Sequence, residues 1–244
     1  MVHKEGGRAP GHFATTRWSL VLAAGRNGSR SRQALESLCE LYWVPVYSFI
    51  RRQGYSADDA LDLAQGFFAR MIEKDDFHDA DPHRGRFRSF LMASVQHFLS
   101  NERDRARALK RGGPKPALSL DLQTAEGRYQ IEPRDELTPE RLFDFQWGMV
   151  LLQRVLGHLR EEYETAGKGE LFDQLKGFLT GDGDDVTYKE IAIRIDSTDG
   201  AVKVAVHRLK QRYKKLLIAE IAETVATPEE IESEIQHLFK AVSL

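Results

Sequence analysis

TYKEIAIRIDSTDGAVKVAVHRLKQRYKK, the run from Thr187 to Lys215, holds two helical periods separated by a polar turn. The first, Tyr188–Ile195, has Ala192 at its centre, small enough to let a second helix cross closely. The turn falls near Asp196–Asp199, and Gly200 opens a long helix expected to run to about Glu223. Helix pairs joined in this way form the helix-turn-helix unit. In the second helix Val202, Val206, Leu209, Tyr213 and Leu216 recur at intervals of four and three residues, which makes one buried stripe. Lys203, His207, Lys210 and Lys214 repeat that spacing on a neighbouring face. From Lys203 to Lys215 there are six Lys or Arg residues and no acid. Long basic side chains on a helix whose N-terminal end is free suit the major groove of DNA. A plain solvated face would not require the preceding short helix and turn, and the three occur together.

On the C-terminal side an amphipathic helix is expected over Pro228–Ala241, with Ile231, Ile235, Leu238 and Phe239 on one side. On the N-terminal side a helix at Glu170–Leu179 follows a longer one at Pro139–Glu164. Before that, Lys110–Pro116 (KRGGPKP) breaks helical structure and opens an aperiodic stretch reaching Pro139. Further back lie helices at about Phe87–Arg107, Ser56–Lys74 and Arg32–Gln53. The last keeps its apolar stripe despite Pro45 and is closed by Gly54. Ser56 is placed to cap the next helix, whose first turn carries Asp58 and Asp59. A short helix near Thr16–Ala24 follows a loose N-terminus.

β-Branched runs are only a few residues long, so the expected fold class is all-α. Two small helical domains are joined by a linker, the second carrying the helix-turn-helix. The boundaries are a loose end over residues 1–12, a first domain over 13–110, a linker over 111–138, a second domain over 139–220 and an acidic helical extension over 221–244. At 244 residues the chain is long enough for two such cores.

Charged residues make up 30% of the chain and the net charge is −2, but the signs are segregated. From Arg84 to Lys115 there are nine Lys or Arg against Glu102 and Asp104, whereas Glu220–Glu234 carries six glutamates and no base. Such blocks suit a protein that meets both nucleic acid and basic protein surfaces. The single cysteine, Cys39, has no internal partner and sits in an apolar helical stretch, so a buried inert thiol is expected. No run approaches the roughly 18 apolar residues of a membrane span, and no signal-peptide pattern opens the chain, so a cytoplasmic protein without a membrane partner is expected.

Three segments together resemble a known family. Asp59-Ala60-Leu61-Asp62-Leu63-Ala64-Gln65-Gly66-Phe67-Phe68 is similar to the core-binding helix of bacterial extracytoplasmic-function (ECF) RNA polymerase sigma factors, with a pattern close to D-A-E-D-L-x-Q-E-x-F. Gly85–Leu91 through Asn101-Glu102-Arg103 resembles their promoter-melting helix, and Gly200–Arg208 resembles their recognition helix, G-T-V-K-S-R-x-x-R. The three occur in the family's order over about Leu35–Leu217.

The resemblance implies a sigma factor, not an enzyme and without cofactor, that joins the polymerase core through its clamp and flap and carries it to promoter DNA. It implies core-polymerase binding through Asp59, Asp62, Leu63, Gln65 and Phe68. It implies minus-ten contacts from Arg86, Arg88, Phe90, His97, Asn101, Arg103 and Arg105, with Lys110 and Arg111 as further phosphate candidates. Unstacked bases need cationic groups for the strand and aromatic or amide groups for the base faces. Phe87 and Phe98 are read as core. Minus-thirty-five contacts fall to Tyr188, Lys203, Val204, His207, Arg208 and Lys210.

The chain departs from the pattern in three places. Leu61 and Gly66 stand where the family has glutamates, and His97 stands where it has asparagine. The missing negative charge makes Ser56 a candidate phosphosite, since a phosphate there restores charge at the docking helix. An anti-sigma factor or a Ser/Thr kinase is then a candidate partner. The acidic extension either masks the basic helix within the chain or contacts polymerase. Two other classes compete: a conventional helix-turn-helix regulator acting on duplex operator, and a metal-dependent nuclease built on Asp75, Asp76, His78, Asp79, Asp81 and His83. Those six crowd one polar loop with no spacing that fixes a ligand geometry.

Overall fold

The computed structural model describes residues 29–74, 86–108, 137–180, 187–225 and 227–243. The loose N-terminus, the expected helix at Thr16–Ala24, the acidic loop with its six candidate ligands, and Lys110–Pro116 lie outside the described residues. Among the described residues the fold is all-α. The elements are α1 (Ser29–Arg52), α2 (Ala57–Lys74), α3 (Phe87–Ala108), α4 (Pro139–Thr165), α5 (Gly169–Leu175), α6 (Gly177–Thr180), α7 (Tyr188–Arg194), α8 (Asp199–Ala222) and α9 (Glu230–Val242). The helix expected at Glu170–Leu179 is two pieces, interrupted at Lys176 just before Gly177, a residue that weakens helix continuation.

Local sequence accounts for most of these ends. Gly54 takes φ +91°, a conformation in which a side chain would be strained, and the N–H of Gly54 donates to the carbonyl of Arg51 at 3.0 Å to close α1. Two residues later the Ser56 Oγ accepts the N–H of Asp59 at 3.1 Å and starts α2. Thr138 caps α4 in the same way, its Oγ1 accepting the N–H of Arg141 at 3.3 Å, with Pro139 in the first helical position.

Helix α1 is the spine. From Leu41 to Ile50 every residue but Trp43 is buried, Pro45 included, because α2 covers one side and α4 another. Ala60 and Ala64 bring α2 close to the bundle, and Phe67 meets Phe98 of α3 edge-on at 5.6 Å. Tyr42 ties three helices together. Its ring stacks on Phe143 of α4 at 6.3 Å and meets Phe87 of α3 edge-on at 5.0 Å.

The large core joins α1, α2 and α3 to Phe143–Val155 of α4, Leu217 and Ile221 of α8, and Leu238 of α9. A smaller core holds Leu159 of α4, Phe172 and Leu175 of α5, Ile191 and Ala192 of α7, and Val202, Val206 and Leu209 of α8. The frontier between cores therefore crosses the middle of α4 and of α8. Both helices serve both cores, and the two halves of the chain are packed against each other.

Candidate nucleic-acid interface

The pair α7–α8 is built by its caps. Thr187 Oγ1 accepts the N–H of Glu190 at 3.3 Å, while the Glu190 carboxylate accepts the N–H of Thr187 at 2.8 Å and its hydroxyl at 3.0 Å. This reciprocal box satisfies two N-terminal donors of α7. Bonding from the Thr187 N–H, then from its hydroxyl, holds the Glu190 carboxyl below its ordinary range.

The turn closes by another local device. Asp196 takes φ +49°, and the N–H of Ser197 reaches back to the carbonyl of Ala192 at 2.8 Å, the arrangement of a Schellman motif. Aspartate is one of the few side chains that occupy this left-handed position routinely. Thr198 then caps α8, its Oγ1 accepting the N–H of Ala201 at 3.2 Å. The turn's left-handed residue is therefore Asp196, and the long helix expected to open at Gly200 begins one residue earlier, at Asp199.

Val202, Val206 and Leu209 turn inward against Ile191 and Ala192, which leaves the other face of α8 in solvent. Lys203, Val204, His207, Arg208 and Lys210 are all exposed. Val204, 49% exposed, lies on the same solvent side. Lys203 Nζ lies 2.9 Å from Asp199 Oδ2 and 5.8 Å from the centre of the Tyr188 ring. The bond to Asp199 and that carboxylate's charge hold the Lys203 ammonium above its ordinary pKa. Tyr188 is half-buried, stacked on Phe178 at 5.0 Å, so it braces Lys203. Arg212 pairs with Glu162 across to α4 through both nitrogens of its fork.

The N-terminal candidates divide by burial. On α2, Asp59 is exposed and holds the Ser56 hydroxyl at 2.7 Å, and Asp62, Leu63 and Gln65 are half-exposed. Phe68 is only 2% exposed and packs on Phe67 at 5.2 Å, so it belongs to the core and presents no surface for polymerase. Ser56 itself is exposed.

On α3, His97, Asn101, Arg103 and Arg105 are exposed. Arg103 Nε donates to the Tyr55 hydroxyl at 3.0 Å, and Arg105 pairs with Glu102 at 2.7 Å. Phe90 is half-buried beside Phe87.

Arg86 and Arg88 differ from these. Sequence places both among the phosphate contacts, yet both are occupied by α9. Arg86 Nη2 donates to Ser233 Oγ at 2.6 Å, and Arg86 Nη1 lies 3.2 Å from Glu234 Oε2. Arg88 is buried, bound to Glu234 at 3.1 and 3.3 Å and to Asp144 at 2.9 Å, with its guanidinium 5.3 Å over the Trp147 ring. Burial alone would lower the Arg88 pKa; bonding and charge from Glu234, then charge from Asp144, outweigh it and leave the value raised. Lys110 and Arg111 lie outside the described residues.

The cluster of Asp144, Trp147, Glu234 and His237 around Arg88 is the part that sequence reasoning missed. Its signal was present. Glu234 falls within the apolar stripe of α9, three residues after Ile231 and four before Leu238, and an acid on a core-facing stripe requires a buried cation.

Among the described residues no group of three His, Cys, Asp or Glu is arranged to hold a metal ion, and no helix is long and apolar enough to cross a membrane. Comparison with protein-family models, curated proteins and solved structures found no match to this chain.

Proposed function

We propose that this chain is an RNA polymerase sigma factor of the ECF kind, with α7 and α8 as its helix-turn-helix unit and α1–α3 as its polymerase- and minus-ten-binding region. The carrying observation is the solvent face of α8. Lys203, His207, Arg208 and Lys210 surround an exposed Val204 on a helix whose opposite face and preceding turn are fixed by packing and caps. In this reading the cations hold phosphates or guanine edges, and Val204 meets a thymine methyl in the minus-thirty-five element. Asp59, Asp62, Leu63 and Gln65 meet the polymerase clamp, with α8 also near the flap. His97, Asn101, Arg103 and Arg105 hold the opened minus-ten strand. The reaction chemistry belongs to the polymerase, so the chain itself needs no cofactor.

The test is capture of bacterial core polymerase by the tagged full chain, with Asp62→Ala/Gln65→Ala alongside. Stoichiometric capture that the double substitution weakens by about tenfold or more, equivalent to roughly 1.4 kcal/mol, supports the reading. Absence of capture, with tight binding of the lone chain to duplex DNA, moves the assignment to a conventional helix-turn-helix regulator.

A further inference from the structure

We propose that α9 is a displaceable clasp, and that nucleic-acid phosphate competes with the Glu234 carboxylate for the guanidinium groups of Arg86 and Arg88. This rests on the nucleic-acid reading of α3 given above.

An arginine fork binds carboxylate and phosphate through the same geometry, so a carboxylate held between two arginines occupies a ready anion position. Glu234 is completely buried and touches both Arg86 and Arg88. No neighbouring position on α9 repeats this: Glu232 and Gln236 face solvent. The acid is thus directed at the basic start of α3, at the arginines immediately before and after Phe87.

Before α9 the backbone is anchored, because the N–H of Phe87 donates to the carbonyl of Thr224 at 3.2 Å and Arg86 forms an antiparallel bridge with Val225. Residues 227–229 form a turn, and α9 begins at Glu230. The movable unit is therefore a 13-residue helix on a short hinge. A helix of that length is marginal in water by itself and depends on its docked face. That face is narrow. Glu234 and Leu238 are fully buried, Ile231, Ile235 and Val242 are partly so, and His237 adds a contact to α4, its Nε2 lying 3.1 Å from Asp144 Oδ2. The helix sits against bare backbone, for a Cβ at Gly148 of α4 would lie 2.6 Å from Val242 Cγ1. Lifting α9 leaves Arg88 beside Asp144 and the Trp147 ring and opens Arg86 to solvent, next to the start of the helix that carries His97, Asn101, Arg103 and Arg105.

The experiment is fluorescence anisotropy of the full chain with a labelled single-stranded oligonucleotide across a salt series, wild type against Glu234→Gln. The variant is expected to bind about tenfold more tightly, and its slope of log affinity on log salt is expected to steepen by about 1.4, since each phosphate contact on a single strand contributes about 0.7. Adding Arg86→Ala/Arg88→Ala to Glu234→Gln should return both quantities to wild-type level. Unchanged affinity and slope in Glu234→Gln overturn the proposal.

Should the variant fail to fold, hydrogen exchange on the wild-type chain decides. Amides of Glu230–Val242 should lose protection at saturating oligonucleotide, and unchanged or increased protection overturns the clasp. Polymerase capture without either effect removes the clasp and leaves the sigma assignment standing. Both effects without capture leave the clasp standing on a different nucleic-acid-binding protein.

Discussion

Phe143→Ala should destabilise both halves of the chain at once. Phe143 is fully buried on α4 and stacks on Tyr42, which in turn meets Phe87 of α3. Removing a buried phenyl ring costs about 3–5 kcal/mol, made up of lost transfer energy and the cavity left behind. The stacked pair accounts for about 0.5–1.5 kcal/mol of such a loss. In a chain of this length 1 kcal/mol moves the melting temperature by about 2–4 °C, so a fall of roughly 6–20 °C is expected. The informative reading is helix by helix. Hydrogen exchange should show α1, α2 and α3 losing protection together with α4 and the C-terminal end of α8, because all of them line one core. Phe143→Leu, which keeps most of the volume, should lose less. Were the two halves independent bodies on a tether, Phe143 would lie at a surface. The melting temperature would then barely move, and protection in α2 and α3 would be untouched. That result refutes the shared core.

Two further outcomes follow from local contacts. Thr187→Ala removes the N-cap oxygen of α7 and should cost about 1 kcal/mol of local stability, read as faster exchange in α7. The same change should move the Glu190 carboxyl back toward its ordinary value of 4.5. A depressed acid stabilises above its unfolded pKa and loses that contribution as pH falls through its folded value. Wild-type α7 should therefore weaken in acid below about pH 4.5, and the variant should lose part of that dependence. The Thr187 N–H, the larger cause, remains in the variant, so the return is partial, and an unshifted Glu190 titration would dismiss the Thr187 hydroxyl as a contributor. For Cys39, burial, with Glu36 and then Glu40 adding to it, pushes the thiol up to about 12. A disulfide reagent in mildly alkaline buffer should react only as fast as the protein opens, and urea should accelerate it. Reaction of the folded protein at the rate of a free thiol would contradict the burial.

Helix positions were legible because the signals that set them are local. Gly54 ends α1 and Ser56 starts α2 through contacts within five residues of chain. The apolar intervals of α8 gave its buried stripe, since side chains three and four apart share a face in any helix. Val202, Val206 and Leu209 are buried, Tyr213 and Leu216 half-buried, and Lys203, His207, Lys210 and Lys214 exposed. The split between α5 and α6 was less legible, because an isolated glycine weakens a helix without dictating whether it stops. Phe68 illustrates a different limit. A ten-residue resemblance places it beside Asp62 and Gln65, but which side of α2 faces α1 depends on helices distant in sequence.

Charge was read least well, and for a definite reason. Summing Arg84–Lys115 and Glu220–Glu234 as separate blocks treats each as facing solvent, whereas the fold brings them together. Glu234 lies between Arg86 and Arg88, and Glu220 lies 3.5 Å from Arg154 and 3.4 Å from His158 on α4. Both glutamates are buried, and a buried carboxylate persists only with cations supplied by its neighbours. Two arginines that a one-dimensional reading assigns to DNA are thus already committed within the molecule. Through Glu234 the acidic extension is tied to Arg88, which is buried, and to Arg86, which is only partly covered, so a count of charges along the chain overstates how much of the basic start of α3 faces solvent.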